Sequence, residues 1–226
     1  FTIVASDLSY LTGKKVAGAR GCITEQNVDG IRVLRAYTFP SLHRSFIWRV
    51  VSFLSFMVTS VWAGLRAGKV DVVMGTSPPI FQAVSAWLVA ALRRRPFLLE
   101  IRDLWPEFAI DMGVLRSPIL IRFSRWLEGW LYRRADQMLV NSPAYRDYLI
   151  RKRIPASKVA FIANGVDPDM FDPESDGASV REQLGLGGKF VVVYAGALGM
   201  ANDIPTLLRA ADRLKSNPEI QFLLVG

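Results

Sequence analysis

Residues 97 to 107 read FLLEIRDLWPE, an apolar run that ends abruptly in an acid, a tryptophan and a proline. Such a run is too short for a helix and is stopped by Pro106, so it reads as a buried strand opening into a loop. In open α/β sheets, ligands gather at the carboxyl ends of strands. That places Asp103 where a substrate can meet it, with Leu98, Leu99 and Ile101 holding the strand in the core. The fold then depends on whether neighbouring segments end in the same way.

They do. Val70 to Met74 leads into GTSPP, Gln137 to Val140 into NSP, and Lys158 to Ile162 into ANG, with helices expected at about 80–92, 118–134 and 144–151. Upstream, Phe1 to Ala5 and Ile31 to Tyr37 read as strands, and the polar, glycine-bearing stretch 6–30 as a long loop. Strand and helix alternating at this rhythm predict an α/β fold with a doubly wound parallel sheet. The acidic, turn-rich PDPESDG and the flexible GLGG break the rhythm. Residues 1–168 are therefore expected to form one Rossmann-like domain, 169–189 a linker, and 190–226 the beginning of a second such domain.

Bulk composition narrows the partners. The 226 residues carry a formal charge of +8, which favours something anionic: phosphates on a small ligand, lipid headgroups or nucleic acid. Nucleic acid is set aside, because the arginines lie beside tryptophans on apolar helices and not on a polar basic face. Cys22 is the single cysteine and His43 the single histidine, which excludes a disulfide framework and a zinc site built from nitrogen and sulfur ligands. His43, in SLHRSF, has no triad motif around it and reads as a surface histidine. The acids at 167, 169, 172, 174 and 176 are interrupted by Pro168 and Pro173 and lack the glycine of a calcium loop, so they read as solvated linker. A chain without disulfides suits a reducing compartment.

Hydrophobic residues make up 51% of the chain and mean hydropathy is +0.24, so a membrane or a large buried interface must be considered. Two helices bear on that. FIWRVVSFLSFMVTSVWAGLR has no charge between Arg49 and Arg66, an interval shorter than the roughly 20 residues of a span. Ser45, Arg49, Ser52, Ser55 and Thr59 give it a thin polar stripe, so it reads as a helix buried in the domain or lying on a bilayer surface, ahead of a true span. Helix 118–134 carries Ile119, Phe123, Trp126, Leu127, Trp130 and Leu131 on one face, flanked by Arg122, Arg125 and Arg133. Both a crossover helix with a solvated basic side and an interfacial helix fit that pattern.

Read in order, GTSPP, FLLEIRDLWPE, ADQMLVNSPAYRDYL, KVAFIANGVDPDMF, VVVYAGALG, IPTLLRAADRL and IQFLLVG resemble family 4 glycosyltransferases of the GT-B fold, in particular the bacterial branch that builds O-antigen and exopolysaccharide. The resemblance implies retaining transfer of a hexosyl or N-acetylhexosaminyl group from a nucleotide-diphosphate donor, a UDP-sugar above all. It implies a lipid-diphosphate-linked or glycan acceptor, no metal, and no cofactor besides the donor substrate. The place of work it implies is the cytoplasmic face of the cell membrane, against anionic lipid. Carried over by position, Asp103 is the catalytic candidate, and Thr76, Ser77, Arg102, Trp105, Glu107 and Asn164 join it as substrate-binding residues. Gly196 and Gly199 would flank the donor diphosphate. Three positions depart from the pattern: Arg102 stands where many relatives place histidine, and Ala197 and Asn202 stand where many carry arginine and lysine. These departures keep a second reading open, a non-catalytic GT-B ligand-binding or scaffold protein. The chain starts inside FTIVAS and stops after FLLVG, so it reads as a fragment lacking the first strand and most of the C-terminal domain, expected to be inactive alone. Glu100 and Arg102 share a strand face and are expected to pair.

Overall fold

The chain divides into two units, Phe1–Asn164 and Gly165–Gly226, in a computed structural model that describes residues 1–9, 12–19, 21–40 and 46–226. His43 and Ser45 lie outside the described residues, as does the side chain of Arg49. In chain order the elements of the first unit are β1 (Thr2–Ser6), β2 (Ile23–Val28), β3 (Ile31–Ala36), α1 (Phe46–Leu65), β4 (Val73–Ser77), α2 (Ile80–Arg93), β5 (Phe97–Ile101), α3 (Glu107–Asp111), α4 (Pro118–Arg134), β6 (Gln137–Val140), α5 (Pro143–Arg151) and β7 (Val159–Phe161). The second holds α6 (Ala178–Gln183), β8 (Phe190–Ala195), α7 (Ile204–Leu214) and β9 (Ile220–Val225).

Four parallel strands, in the order β4-β5-β6-β7, carry the main core. FLLEI makes β5 because its alternate residues Phe97, Leu99 and Ile101 are nearly fully buried, each worth about 1.5–3 kcal/mol on transfer from water. Leu98 and Glu100 point to the other face and are half-buried, so Leu98 is not a core anchor. Met138, Val140 and Leu149 complete the buried set. Helix α2 lies close on β4 because Gly75 has no side chain: a Cβ there would stand 2.4 Å from the Cβ of Ala86. Trp87 of α2 meets Trp130 of α4 edge to face, with ring centroids 4.5 Å apart.

The stretch expected as one long loop, 6–30, contains β2, which runs antiparallel to β3. The two strands join through Asp29 and Gly30, both at positive φ, the turn chemistry a two-residue hairpin requires. β3 also pairs in parallel with β1, giving a separate three-stranded sheet, β1-β3-β2. A cavity of about 600 Å³ lies where β1 and β4 would otherwise meet, lined by Thr2 and Val4 on one side and Val72 and Met74 on the other.

Helix α1 turns its polar stripe inward. Ser55 Oγ accepts from the Phe39 amide at 2.9 Å and Thr59 Oγ1 donates to the Tyr37 carbonyl at 2.6 Å, so the stripe satisfies the backbone that follows β3. Ser52 and Ser60 are buried, while Leu54, Val58, Trp62 and Leu65 face solvent. At the end of α1, Arg93 from the last turn of α2 donates to the carbonyls of Leu65 and Gly68, supplying a cation where the last helix carbonyls lack partners. Among the described residues no helix is long and apolar enough to cross a membrane.

In the second unit, β8 and β9 pair in parallel and α7 forms the crossover between them. Segment 169–189 contains α6, and Asp172 and Asp176 each accept an amide two residues on. Leu186, just after that helix, is buried.

Candidate functional site

The strands of the main sheet end level with one another. Ser77 of β4 lies opposite Ile101 of β5, which lies opposite Val140 of β6, which lies opposite Phe161 of β7. Neighbouring strands run about 4.8 Å apart, so the residues that follow emerge side by side. The backbone continues the pairing past the ends: the Arg102 amide donates to the Ser77 carbonyl at 2.9 Å, and the Ile162 amide to the Val140 carbonyl at 3.0 Å. Thr76, Ser77, Arg102, Asp103, Trp105 and Glu107 are thereby gathered at one end of the sheet.

Their surroundings differ. Ser77 is buried and Thr76 Oγ1 accepts from Gln82 Nε2 at 3.2 Å. Arg102 and Asp103 are exposed. The expected Glu100–Arg102 ion pair does not form among the described residues, because Arg102 sits past the strand end where the face shared with Glu100 is lost. Trp105 is half-buried against the core and Pro106 is fully buried, which fixes the loop between the two acids. Glu107 receives a bidentate grip from Arg125 of α4, Nε to Oε1 at 2.9 Å and Nη2 to Oε2 at 2.8 Å. That guanidinium holds the Glu107 carboxyl below its ordinary pKa, against a smaller opposing effect of burial.

Three residues not among the expected site residues stand at this end. Asn141, the first residue after β6, donates through Nδ2 to the Arg102 carbonyl at 3.4 Å, and its buried Oδ1 has no partner among the described residues. Tyr145 of α5 faces Asp103: burial raises its phenol pKa, and the charge and hydrogen bond of the Asp103 carboxylate raise it further. Arg125 is the third. Asn141 and Tyr145 both stand in NSPAYRDYL directly after a strand, a position that could have signalled them as candidates.

The helix expected to show one continuous apolar face is split. Leu127 and Leu131 of α4 are buried, whereas Ile119 (80% exposed), Phe123 (50%) and Trp126 (56%) face solvent. Burial also claims the polar Ser124 and Glu128 of the same helix, so the inward face is partly polar and the outward face largely apolar.

Asn164 is exposed and closes the first unit. Gly196 and Gly199 belong to the second. Gly196 has φ 152°, and its amide donates to the Val225 carbonyl at 2.8 Å. A side chain at Gly196 would press on the Tyr194 hydroxyl, which donates to the Ala197 carbonyl at 2.8 Å. Asn202 Nδ2 donates to the same carbonyl at 2.7 Å and so braces the turn. Among the described residues, a Cβ at Gly199 would meet nothing within 4 Å outside its chain neighbours. Among the described residues, no three His, Cys, Asp or Glu side chains cluster as a metal site.

Level strand ends followed by Thr, Arg, Asp and Asn side chains are the place where open α/β sheets gather ligands. Residues 7–165 match the family described as "Glycosyl transferase 4-like domain", and the chain belongs to that family. It is 26% identical over 190 residues to the protein named "Putative colanic acid biosynthesis glycosyl transferase WcaI" of Escherichia coli, covering 80% of this chain and 46% of that one. It is 31% identical over 119 residues to the alpha-galactosylglucosyldiacylglycerol synthase of Streptococcus pneumoniae, covering 50% of this chain and 31% of the relative. The chain thus spans less than half the length of these relatives. Among solved structures, Anabaena Alr3699/HepE in complex with UDP and glucose is similar with a TM-score of 0.53 at 17% identity, over 87% of this chain and 56% of that one. That likeness is one of fold.

Proposed function

We propose that this chain is part of a retaining glycosyltransferase that moves a hexosyl or N-acetylhexosaminyl group from a nucleotide-diphosphate donor, a UDP-sugar, to a lipid-linked or glycan acceptor in bacterial surface polysaccharide synthesis. The observation that carries the reading is the level set of strand ends in a chain of this family, with an exposed Asp103 engaged by no cation among the described ion pairs. Glu107 is committed to Arg125, so Asp103 is the carboxylate available to a sugar hydroxyl. Thr76, Ser77, Arg102, Trp105 and Asn164 are proposed to bind substrate, Gly196 and Gly199 to receive the donor diphosphate, and no metal or further cofactor is required. The UDP and glucose of Alr3699/HepE and the colanic acid and glycolipid chemistry in the relatives' names support this choice of donor and acceptor.

The same reading places the protein on the inner face of the cell membrane. Ile119, Phe123 and Trp126 face outward beside Arg122, a pattern that suits an anionic headgroup layer. In the full-length protein, Asp103→Ala should cut transfer from UDP-sugars to lipid extract at least a hundredfold with the fold retained. Unchanged turnover removes Asp103 from the mechanism, and ligand binding without any transfer favours the scaffold reading that Ala197 and Asn202 keep open. Cosedimentation with anionic liposomes should weaken as salt rises. Absence of binding at low salt defeats the membrane assignment.

A further inference from the structure

We propose that Glu128 is a positioning residue: by tying α4 to α5 it sets the places of Asp103 and Glu107 in the loop after β5. The consequence for catalysis rests on the glycosyltransferase reading; the consequence for the loop rests on the contacts alone.

Glu128 is 1% exposed. A carboxylate that deep is costly unless its oxygens are bound. Here they are: Oε1 accepts from the hydroxyls of Tyr132 at 2.9 Å and Tyr148 at 3.1 Å, and Oε2 accepts from Lys152 Nζ. Tyr132 lies on the same helix as Glu128, but Tyr148 lies on α5 and Lys152 at its C-terminal cap. One carboxylate therefore cross-links the two helices.

Each helix also holds one acid of the loop. Arg125, three residues before Glu128, grips Glu107. Asn141, just ahead of the Ser142 cap of α5, donates to the Arg102 carbonyl at 3.4 Å, next to Asp103, and Tyr145, three residues before Tyr148, has its phenol pKa raised by burial and by the Asp103 carboxylate. A spacing of three keeps each pair on one side of its helix, so the Glu128 link and the two grips move together. Leucines could hold α4 against α5 as tightly, because well-packed apolar replacements of buried ionic groups are often neutral or stabilising. What an apolar contact lacks is the fork geometry that selects which turn of α5 faces α4. The loop has internal bonds as well, Trp105 amide to Asp103 carbonyl at 3.0 Å and Phe108 amide to Leu104 carbonyl at 2.9 Å, and these report on its order.

The test uses the full-length protein with Tyr148→Phe, which keeps the ring, and Glu128→Gln, which keeps the shape. Hydrogen–deuterium exchange should accelerate about tenfold at Trp105 and Phe108, the scale of one lost bond to a charged group, with β5 and β6 amides unchanged. With a UDP-sugar and lipid acceptor, kcat should fall by a similar factor while donor KM holds. Unchanged exchange in 102–111 in both variants overturns the proposal. So does acceleration spread equally over β5 and β6, which marks general loosening. If Glu128→Gln fails to fold, Tyr148→Phe decides alone. Should the loop respond as expected in the variants while the wild-type protein transfers no sugar, the positioning role stands and the glycosyltransferase reading falls.

Discussion

In the β4–β7 sheet the inward residues are large, Phe97, Leu99, Ile101 and Met138, and α2, α4 and α5 cover them. In the β1–β3 sheet the buried cluster is Leu34, Ala36, Ala63 and Ala67, three of the four being alanine, and the β1 side opens on the cavity shared with β4. The candidate site hangs on the first of these halves. Side chains placed to within a fraction of an ångström need a scaffold whose own rotamers are locked by packing, and the fuller half provides it.

The contrast is broken most directly by making the same change on both sides. Leu99 and Leu34 are both nearly fully buried. Leu99→Ala should cost about 4–5 kcal/mol, the upper part of the range for such truncations, because its neighbours are interlocked and a void persists. Leu34→Ala should cost about 2–3 kcal/mol, since small neighbours beside an open edge can relax into the space. Urea unfolding of the two variants measures both. Equal losses would mean that the two halves are packed alike and that the cavity does not soften its surroundings.

A second, smaller effect sharpens the account of the fuller half. Gly75→Ala pushes a Cβ against Ala86 at 2.4 Å and should destabilise by about 1–3 kcal/mol. Ala86→Gly alone should cost about 1 kcal/mol as a helix-interior glycine. Together the two should cost less than their sum, because the second change opens the space that the first needs. Strict additivity would show that β4 and α2 are not limited by this contact.

The same difference in packing explains what could be read from the sequence. Strands β5, β6 and β8 and helices α4 and α7 follow from their residues, since buried parallel strands are short apolar runs closed by turn residues. The level strand ends followed as well, which is why Asp103, Ser77 and Glu107 emerge together. β2 escaped because ITEQNV is mostly polar and half-exposed; its signal was Asp29-Gly30, a hairpin turn beside a β-branched strand. The face of α4 was misjudged for a related reason. Periodicity identifies an apolar stripe but not which side meets the sheet, and buried Glu128 with its tyrosines drew the helix round so that Phe123 and Trp126 face outward. Hydrogen-bond partners that lie far apart in sequence, such as Arg125 with Glu107 and Tyr148 with Glu128, leave no local pattern.

The smallest effect concerns the ion pair that joins the fuller half to the loop. Arg125 holds the Glu107 carboxyl below its ordinary pKa, so the stability it contributes is fully present above the unfolded value of about 4.3 and is lost as pH falls through the lower folded value. Replacing Arg125 by methionine keeps most of the stem and removes the charge. Wild type should therefore exceed Arg125→Met in urea midpoint at neutral pH, and the gap should close as pH falls from about 5 through the lowered folded value. The gap should be small and should shrink in salt, since half of the Arg125 side chain is exposed, at 52%, and such pairs are screened. A gap that ignores both pH and salt would assign the contribution of Arg125 to its aliphatic stem packing over the loop, and Glu107 would then be held in place by Pro106 and the turn of α3 without help from charge.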